Sequence, residues 1–463
     1  MRITKRLLEH RARSAFAVGA SALAVLAAAA SCTTTSVTTE EASDASVDAE
    51  VHEAAIADGA ADAGPDAADD VDPMSSDAGP PPVQCEDAAC AKSLVLTYGS
   101  ARGADGSHGF CALLDDATVA CWGVNGSGQL ARDRAVTRSA VPARVDGLEN
   151  IVRLSHTCAI DKDGAAWCWG TGPFLQSSTV ASSTVWRAVN VDIPTATHVD
   201  FLVQGGRAPF GAVGCAILAD NQVACWGVNG NGQVHPPALD ESATVPNPVT
   251  MIDLPEGAPI QDIFVGKATF VLRTDGTLLS WGANPPLGRV SSLFPDPRPK
   301  PVALTGISYV DVEAGSVCVV AKGAVHCWGT TDAAASAPAR QYALPQRINL
   351  PEPAVSVATS PGGYGGPASN PQRGCAVMLS GDVYCWGSNT SGQAGDGTRE
   401  PPADPVKVKG LPAPASIVRT AALATCALLT TGKVYCWGEN GFGELGNGLL
   451  QEPSLEPVEV LLP

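Results

Sequence analysis

The sequence predicts an all-β repeat fold, and three observations carry that expectation. The dipeptide Trp-Gly recurs seven times, at Trp122, Trp169, Trp226, Trp281, Trp328, Trp386 and Trp437, with 47 to 58 residues between copies. Six of the seven Trp follow a Cys, and each of those Cys has a partner nine or ten residues upstream. Between the two lies a turn signal flanked by short apolar, β-branched runs, the mark of a hairpin. A period in this range means one supersecondary unit repeated, whose apolar faces are buried by stacking on each other.

The hairpin turns obey their own chemistry. In a three-residue loop the last position is left-handed and favours Gly or Asn. Gly164, Asn221, Gly276, Gly381 and Gly432 stand there, with Ala117 the exception. The fifth copy is one residue shorter, and a two-residue turn at Lys322-Gly323 restores the register. That register opposes Cys111 to Cys121, Cys158 to Cys168, Cys215 to Cys225, Cys318 to Cys327, Cys375 to Cys385 and Cys426 to Cys436. Opposed residues on antiparallel strands lie roughly 4.5–5.5 Å apart, within disulfide reach. In the fourth copy both positions change together, to Phe270 and Ser280, as a bonded pair would. Disulfides are the expectation, with buried free thiols the alternative. No Cys-x-x-Cys knuckle occurs, so no metal site is expected.

The full unit resembles the repeat of the regulator of chromosome condensation family. The matching pieces are Pro142-Ala-Arg-Val-Asp-Gly-Leu148, His156-Thr-Cys-Ala159, Trp122-Gly-Val-Asn125, Gly126-Ser-Gly-Gln-Leu130 and Gly441-Phe-Gly-Glu-Leu-Gly446. The resemblance covers about residues 90–463 and implies a β-propeller of four-stranded blades. The seven copies then make a seven-bladed ring. Copies two, four and five have degraded Gly-rich ends. The chain closes on Pro457-Val-Glu-Val460, which matches the opening strand of a repeat, whereas the first copy lacks one. The C-terminal strand is therefore expected to complete the first blade and hide its edge.

Ahead of the propeller, residues 1–31 read as a lipoprotein signal peptide. A basic start precedes an apolar run from Ala15 to Ala30, shorter than the roughly 20 residues that span a bilayer. Ala29-Ala-Ser-Cys32 resembles a lipoprotein cleavage box, with Ala29 where such boxes carry Leu. Pairing Cys85 with Cys90 leaves Cys32 as the one unpaired cysteine, the lipid-attachment candidate. Residues 32–84 are an acidic tether rich in Ala, Asp, Pro and Thr, with thirteen carboxylates and no Lys or Arg, a composition that stays disordered. The propeller domain is placed at 85–463. An outer-membrane lipoprotein of the bacterial envelope is the expected location.

Charge excludes one function class. The chain carries −18 overall, and −9 remains on residues 85–463. Nucleic-acid binding needs clustered Lys and Arg to replace phosphate counterions, so no nucleic-acid partner is expected. Chemistry-bearing motifs also dissolve on reading. Gly441-Phe-Gly-Glu-Leu-Gly446 fits a dinucleotide fingerprint, but Asn447-Gly448 and Pro453 follow where a helix is needed. Asp161-Lys-Asp-Gly164 aligns with the other hairpin turns and lacks a calcium loop's distal Glu. His108, His198 and His235 look scattered, and no nucleophile motif supports a Ser-His-Asp set. No catalytic residue and no cofactor are assigned.

One irregularity points to binding. The link before each Cys-containing strand is short in most copies but long and Gly-rich at 98–109, 204–214 and 360–374. Per-repeat insertions mark the binding face of such arrays. These links belong to copies one, three and six, which lie along one arc of a seven-membered ring. They carry Arg102, His108, Phe110, Arg207, Phe210, Tyr364 and Arg373, side-chain types that dominate protein hot spots. The expected function is an envelope-anchored, non-enzymatic recognition module, monomeric, binding a protein partner or else a glycan. Family resemblance extends to secreted bacterial propellers that inhibit β-lactamases, which favours protein. The alternatives are an exported propeller-type enzyme, a lyase or glycan hydrolase, or a structural envelope component.

Overall fold

Each Cys-Trp-Gly strand is the third strand of a four-stranded antiparallel meander, and seven such sheets form the β-propeller. The computed structural model describes residues 79–85, 89–97, 108–173, 183–203, 212–237, 246–329, 343–360 and 373–463. The blades span 91–144, 151–190, 196–252, 260–301, 307–347, 354–407 and 415–459. The signal peptide, Cys32 and nearly all of the acidic tether lie outside the described residues.

The hairpins form as their turns dictate. Gly164, Asn221, Gly276, Gly381 and Gly432 all have positive φ, and so does Ala117, at 62°. Lys322 and Gly323 are both left-handed, as a tight two-residue turn requires. All six hairpin cysteine pairs are disulfides with Cα atoms 4.0–4.1 Å apart, and Cys85 bonds Cys90. Phe270 opposes Ser280 in the same register. There the Ser280 hydroxyl donates to the Leu287 carbonyl at 2.8 Å and accepts from Arg289 Nε. Arg289 in turn pairs with the buried Asp296 at 2.9 Å. A polar lattice thus ties blade four together where the others use sulfur.

The repeat Trp joins each blade to the one before. Trp169 Nε1 donates to the Gln129 carbonyl, Trp281 to Gln233 and Trp437 to Gln393, each at 2.9–3.0 Å. Two of the degraded Gly-rich ends keep this function: Trp226 bonds Pro173 and Trp328 bonds Pro286 through backbone carbonyls. The indoles themselves are buried among the hairpin residues of the neighbouring blade, Trp169 beside Cys111 and Cys121 for example.

Ring closure differs from the expectation. The strand Ser454–Glu459 pairs within blade seven, Val458 opposite Cys436, and does not complete blade one. Blade one has its own outer strand, Arg138–Arg144, which contains Pro142. The Pro-Val-type strand therefore ends a blade instead of opening the next. Closure is made by packed faces: Trp122 Nε1 donates to Glu444 O, and Ala91 N to Gly432 O, both at 2.9 Å. Residues 81–84 add to this seam, with Val83 against the blade 1–7 core and Gln84 N donating to Thr430 O.

Candidate functional site: the central channel

The innermost strand of every blade lines a central cavity of about 390 Å³. Hairpin register defines its lining. Opposite the first hairpin cysteine, or Phe270 in blade four, stand Val95, Ser155, Asp200, Phe264, Asp311, Ala358 and Arg419. Two residues earlier stand Ser93, Arg153, His198, Asp262, Tyr309, Ser356 and Ile417. Side chains alternate along a strand, so these two positions face alike. Their polar members concentrate on blades two to five, joined by Arg419 of blade seven.

These groups bridge blades. Arg153 of blade two reaches Asp262 of blade four at 2.7 Å. His198 of blade three lies between them, with Nε2 3.1 Å from Ser155 Oγ and Nδ1 2.5 Å from Asp262 Oδ1. The Nδ1 contact is an ion-pair approach and lacks the alignment of a hydrogen bond. His156 Nδ1 meets Asp200 Oδ1 at 2.7 Å, and Asp200 Oδ2 accepts from Val265 N. Arg419 donates to the Tyr309 hydroxyl at 2.8 Å and lies 3.7 Å from Asp311, whose other oxygen accepts from Thr359 N. Small Ser356 and Ala358 of blade six leave the space that this arginine crosses.

Electrostatics follows from those neighbours. Burial opposes ionisation of Asp262, but His198 and Arg153 outweigh it and hold its pKa below the ordinary value. Burial wins at Asp311, raising its pKa despite Arg419 and the Thr359 N–H. Chemically, the channel offers paired charges, a serine hydroxyl beside an imidazole, and aliphatic walls. Among the described residues, no group of three or more His, Cys, Asp or Glu side chains is placed to hold a metal ion.

The proposed loop residues fare unequally. His108 sits at the channel end, with Nε2 3.9 Å from Glu313 Oε1 across the ring. Phe110 is fully buried and stacks on Trp122 at 5.9 Å, so it belongs to the core. Arg373 is also buried and donates to the carbonyls of Gln393, Ala421 and Ala424 and the hydroxyl of Thr425. Burial pushes its pKa down to about 9. Both precede the cysteine, where the sequence places a loop, yet the strand already begins at Gly109 and at Arg373. Arg102, Arg207, Phe210 and Tyr364 lie outside the described residues.

Sequence reasoning missed the channel and one surface feature. His156 and His198 meet carboxylates far from them along the chain, Asp200 and Asp262, across blades. Counting back from each first cysteine through the short links would have exposed part of the pattern. The surface feature is an apolar tip on blade four, where Val290, Leu293 and Phe294 are exposed, Phe294 by 81%. It joins the third and outer strands. In a meander, such links leave on the same face as the inner-to-second links.

Comparison with known proteins agrees with this architecture. The Regulator of chromosome condensation (RCC1) repeat matches residues 368–393 and 423–444. The Ultraviolet-B receptor UVR8 of Arabidopsis thaliana is 24% identical over 378 residues, 77% of this chain and 79% of that protein. The E3 ubiquitin-protein ligase HERC2 of Homo sapiens is 25% identical over 301 residues, 52% of this chain but 6% of that protein. Human WBSCR16 superposes with a TM-score of 0.58 at 19% identity, covering 75% of this chain and 95% of that one. Prp20p from Saccharomyces cerevisiae gives 0.56 at 16%, covering 74% and 85%. The chain is a seven-bladed β-propeller, similar in fold to WBSCR16 and Prp20p.

Proposed function

We propose that this propeller is an exported, lipid-anchored recognition module that binds a protein through one face. The reading is supported by what converges on that face along the chain. The three long inner-to-second links of blades one, three and six leave there, and so does the exposed Val290, Leu293 and Phe294 tip. Exposed apolar clusters on a soluble domain mark interaction sites. Prp20p, similar in fold, has been studied for binding to Gsp1p and histones and crystallised with Kap60, so the architecture serves protein recognition elsewhere. Seven disulfides support an oxidising compartment, and Cys32 supports anchorage. Replacing Arg102, Arg207, Phe210, Tyr364 and Phe294 together by Ala tests the face, with partner capture as the readout. Globomycin, which blocks lipoprotein signal cleavage, tests Cys32: the drug is expected to turn the wild type into precursor and to leave the processing of Cys32→Ser unchanged.

A second reading, an exported hydrolase, is favoured by one observation. Ser155, His198 and Asp262 stand in the order hydroxyl, imidazole, carboxylate, and His198 Nε2 is placed to take the Ser155 proton. Turnover of chromogenic esters by the wild type but not by Ser155→Ala would support it. Equal rates in both would end it.

A further inference from the structure

We propose that Cys85–Cys90 is a thiol–disulfide exchange site, which a dithiol reductant opens in the folded protein while the six hairpin disulfides stay closed. The bond thereby acts as a latch on the strap that residues 81–84 lay over the closure seam. Exposure separates it from the others. No hairpin cysteine is more than 4% exposed. Cys85 is exposed, whereas its partner Cys90 is 3% exposed. Exchange needs a thiolate to reach a sulfur, so access decides which bond reacts.

The surroundings of Cys90 set the direction of attack. Its Sγ packs so closely on Gly432 that a Cβ there would collide with it. Its carbonyl accepts from Asp115 N, and the next amide, Ala91 N, donates to Gly432 O, both at 2.9 Å. Cys90 is thus a shielded, fixed leaving group, and Cys85 is the residue attacked. The reductant's thiolate bonds Cys85 Sγ, the S–S bond breaks, and its electron pair leaves on Cys90, which takes a proton from water. Cys90 stays beside the mixed disulfide and re-attacks it, expelling a monothiol. A dithiol escapes that reversal. Its second thiolate attacks its own sulfur in the mixed disulfide, Cys85 leaves as a thiolate and is protonated, and the reductant departs as a cyclic disulfide. Two electrons pass to the protein and two thiols result.

What the bond holds is the seam. Pro81 O accepts from Ser416 Oγ, and Gln84 N donates to Thr430 O at 2.7 Å, both on blade seven. Val83 packs on the core shared by blades one and seven. Cys90 directly precedes blade one's inner strand, Ala91–Leu96. The disulfide therefore ties a strap lying on blade seven to the first strand of blade one. Two hydrogen bonds and one apolar side chain are a weak hold for a segment whose Pro82 and Gln84 are exposed. Opening the bond lets the strap fray from the seam.

The test treats the full chain, folded and oxidised, with dithiothreitol for increasing times. The reaction is quenched in acid, free thiols are alkylated in denaturant, and the peptides are mapped by mass spectrometry. We expect Cys85 and Cys90 to become alkylated together, on the order of a hundredfold faster than any hairpin pair. The same thiol concentration supplied as 2-mercaptoethanol should leave the pair largely closed. Hydrogen exchange reads the strap: the Gln84 amide should exchange roughly tenfold or more faster in the reduced protein. Cys85→Ser with Cys90→Ser should reproduce that rate without any reductant, and the hairpin strands should keep their protection in both. The proposal is overturned if a hairpin disulfide opens as fast as Cys85–Cys90, or if Cys85–Cys90 resists the dithiol while the protein is folded. It is equally overturned if the Gln84 amide exchanges alike in the oxidised protein, the reduced protein and the double variant.

Discussion

Trp122 Nε1 donates to the Glu444 carbonyl at 2.9 Å, joining residues 322 positions apart. No strand is shared between the first and last blades, so this bond, that from Ala91 N to Gly432 O and the packing around them close the ring. Trp122→Phe should destabilise the propeller by about 2 kcal/mol or more, through an orphaned buried carbonyl and lost contacts. Trp386 is the informative control, because its Nε1 has no acceptor among the described residues. Trp386→Phe should cost about 1 kcal/mol less in denaturant unfolding. An equal loss would mean that the segment 330–342, outside the described residues, supplies an acceptor.

Glu444 makes the same seam sensitive to pH. Gln129 and Gln393 hold its position in other blades, each accepting a backbone N–H as Glu444 does from Phe442. Burial pushes the Glu444 pKa from 4.5 up to about 7. The folded state then holds a proton that the unfolded chain releases, so stability falls as pH rises from about 4.5 to about 7 and levels off above. The fall is on the order of 3 kcal/mol at most. Glu444→Gln should remove it and stabilise the protein at pH 8, read as denaturation midpoints across that range. A slope unchanged by the substitution would contradict the assignment.

Blade four tests whether register alone makes the disulfides. Phe270→Cys with Ser280→Cys should oxidise completely, as mass spectrometry of alkylated peptides would show. Such a short loop contributes roughly 2–3 kcal/mol in principle. Here the gain should be largely cancelled. Ser280 loses its bonds to Leu287 and Arg289, and Phe270 its edge-on contact with Trp328 at 6.1 Å. A full gain in stability would show that the polar lattice is idle.

Arg373→Met should cost stability and leave recognition alone. The guanidinium is buried between blades six and seven and donates to carbonyls there, so its removal orphans several acceptors. We expect a loss of about 2–4 kcal/mol, with partner capture unchanged at a temperature where the variant is folded. Weakened capture by a fully folded variant would return Arg373 to the binding face.

Much of this was legible in the sequence because it is local. The turn residues from Gly164 to Gly432, the Cys spacing and the joint change at Phe270 and Ser280 report contacts within ten residues of each other. The strand at Pro142 was assigned to the wrong end of its repeat. It lies between two blades in the chain, and only its pairing with Cys121 decides which it joins. The channel was illegible for a related reason. Ser155, His198 and Asp262 meet because three blades converge on one axis, and no spacing along the chain encodes that meeting. Phe110 and Arg373 carry binding-type side chains in links that had already become strands.

The most direct test of the recognition reading is crosslinking in intact cells that express the native gene, followed by capture and identification of what is joined to the propeller. The account predicts a reproducible envelope protein captured by the wild type. It should be lost when Arg102, Arg207, Phe210, Tyr364 and Phe294 become Ala in a protein that still folds. The same companion captured equally by that variant, or no specific companion at all, would contradict it and favour the hydrolase or structural readings.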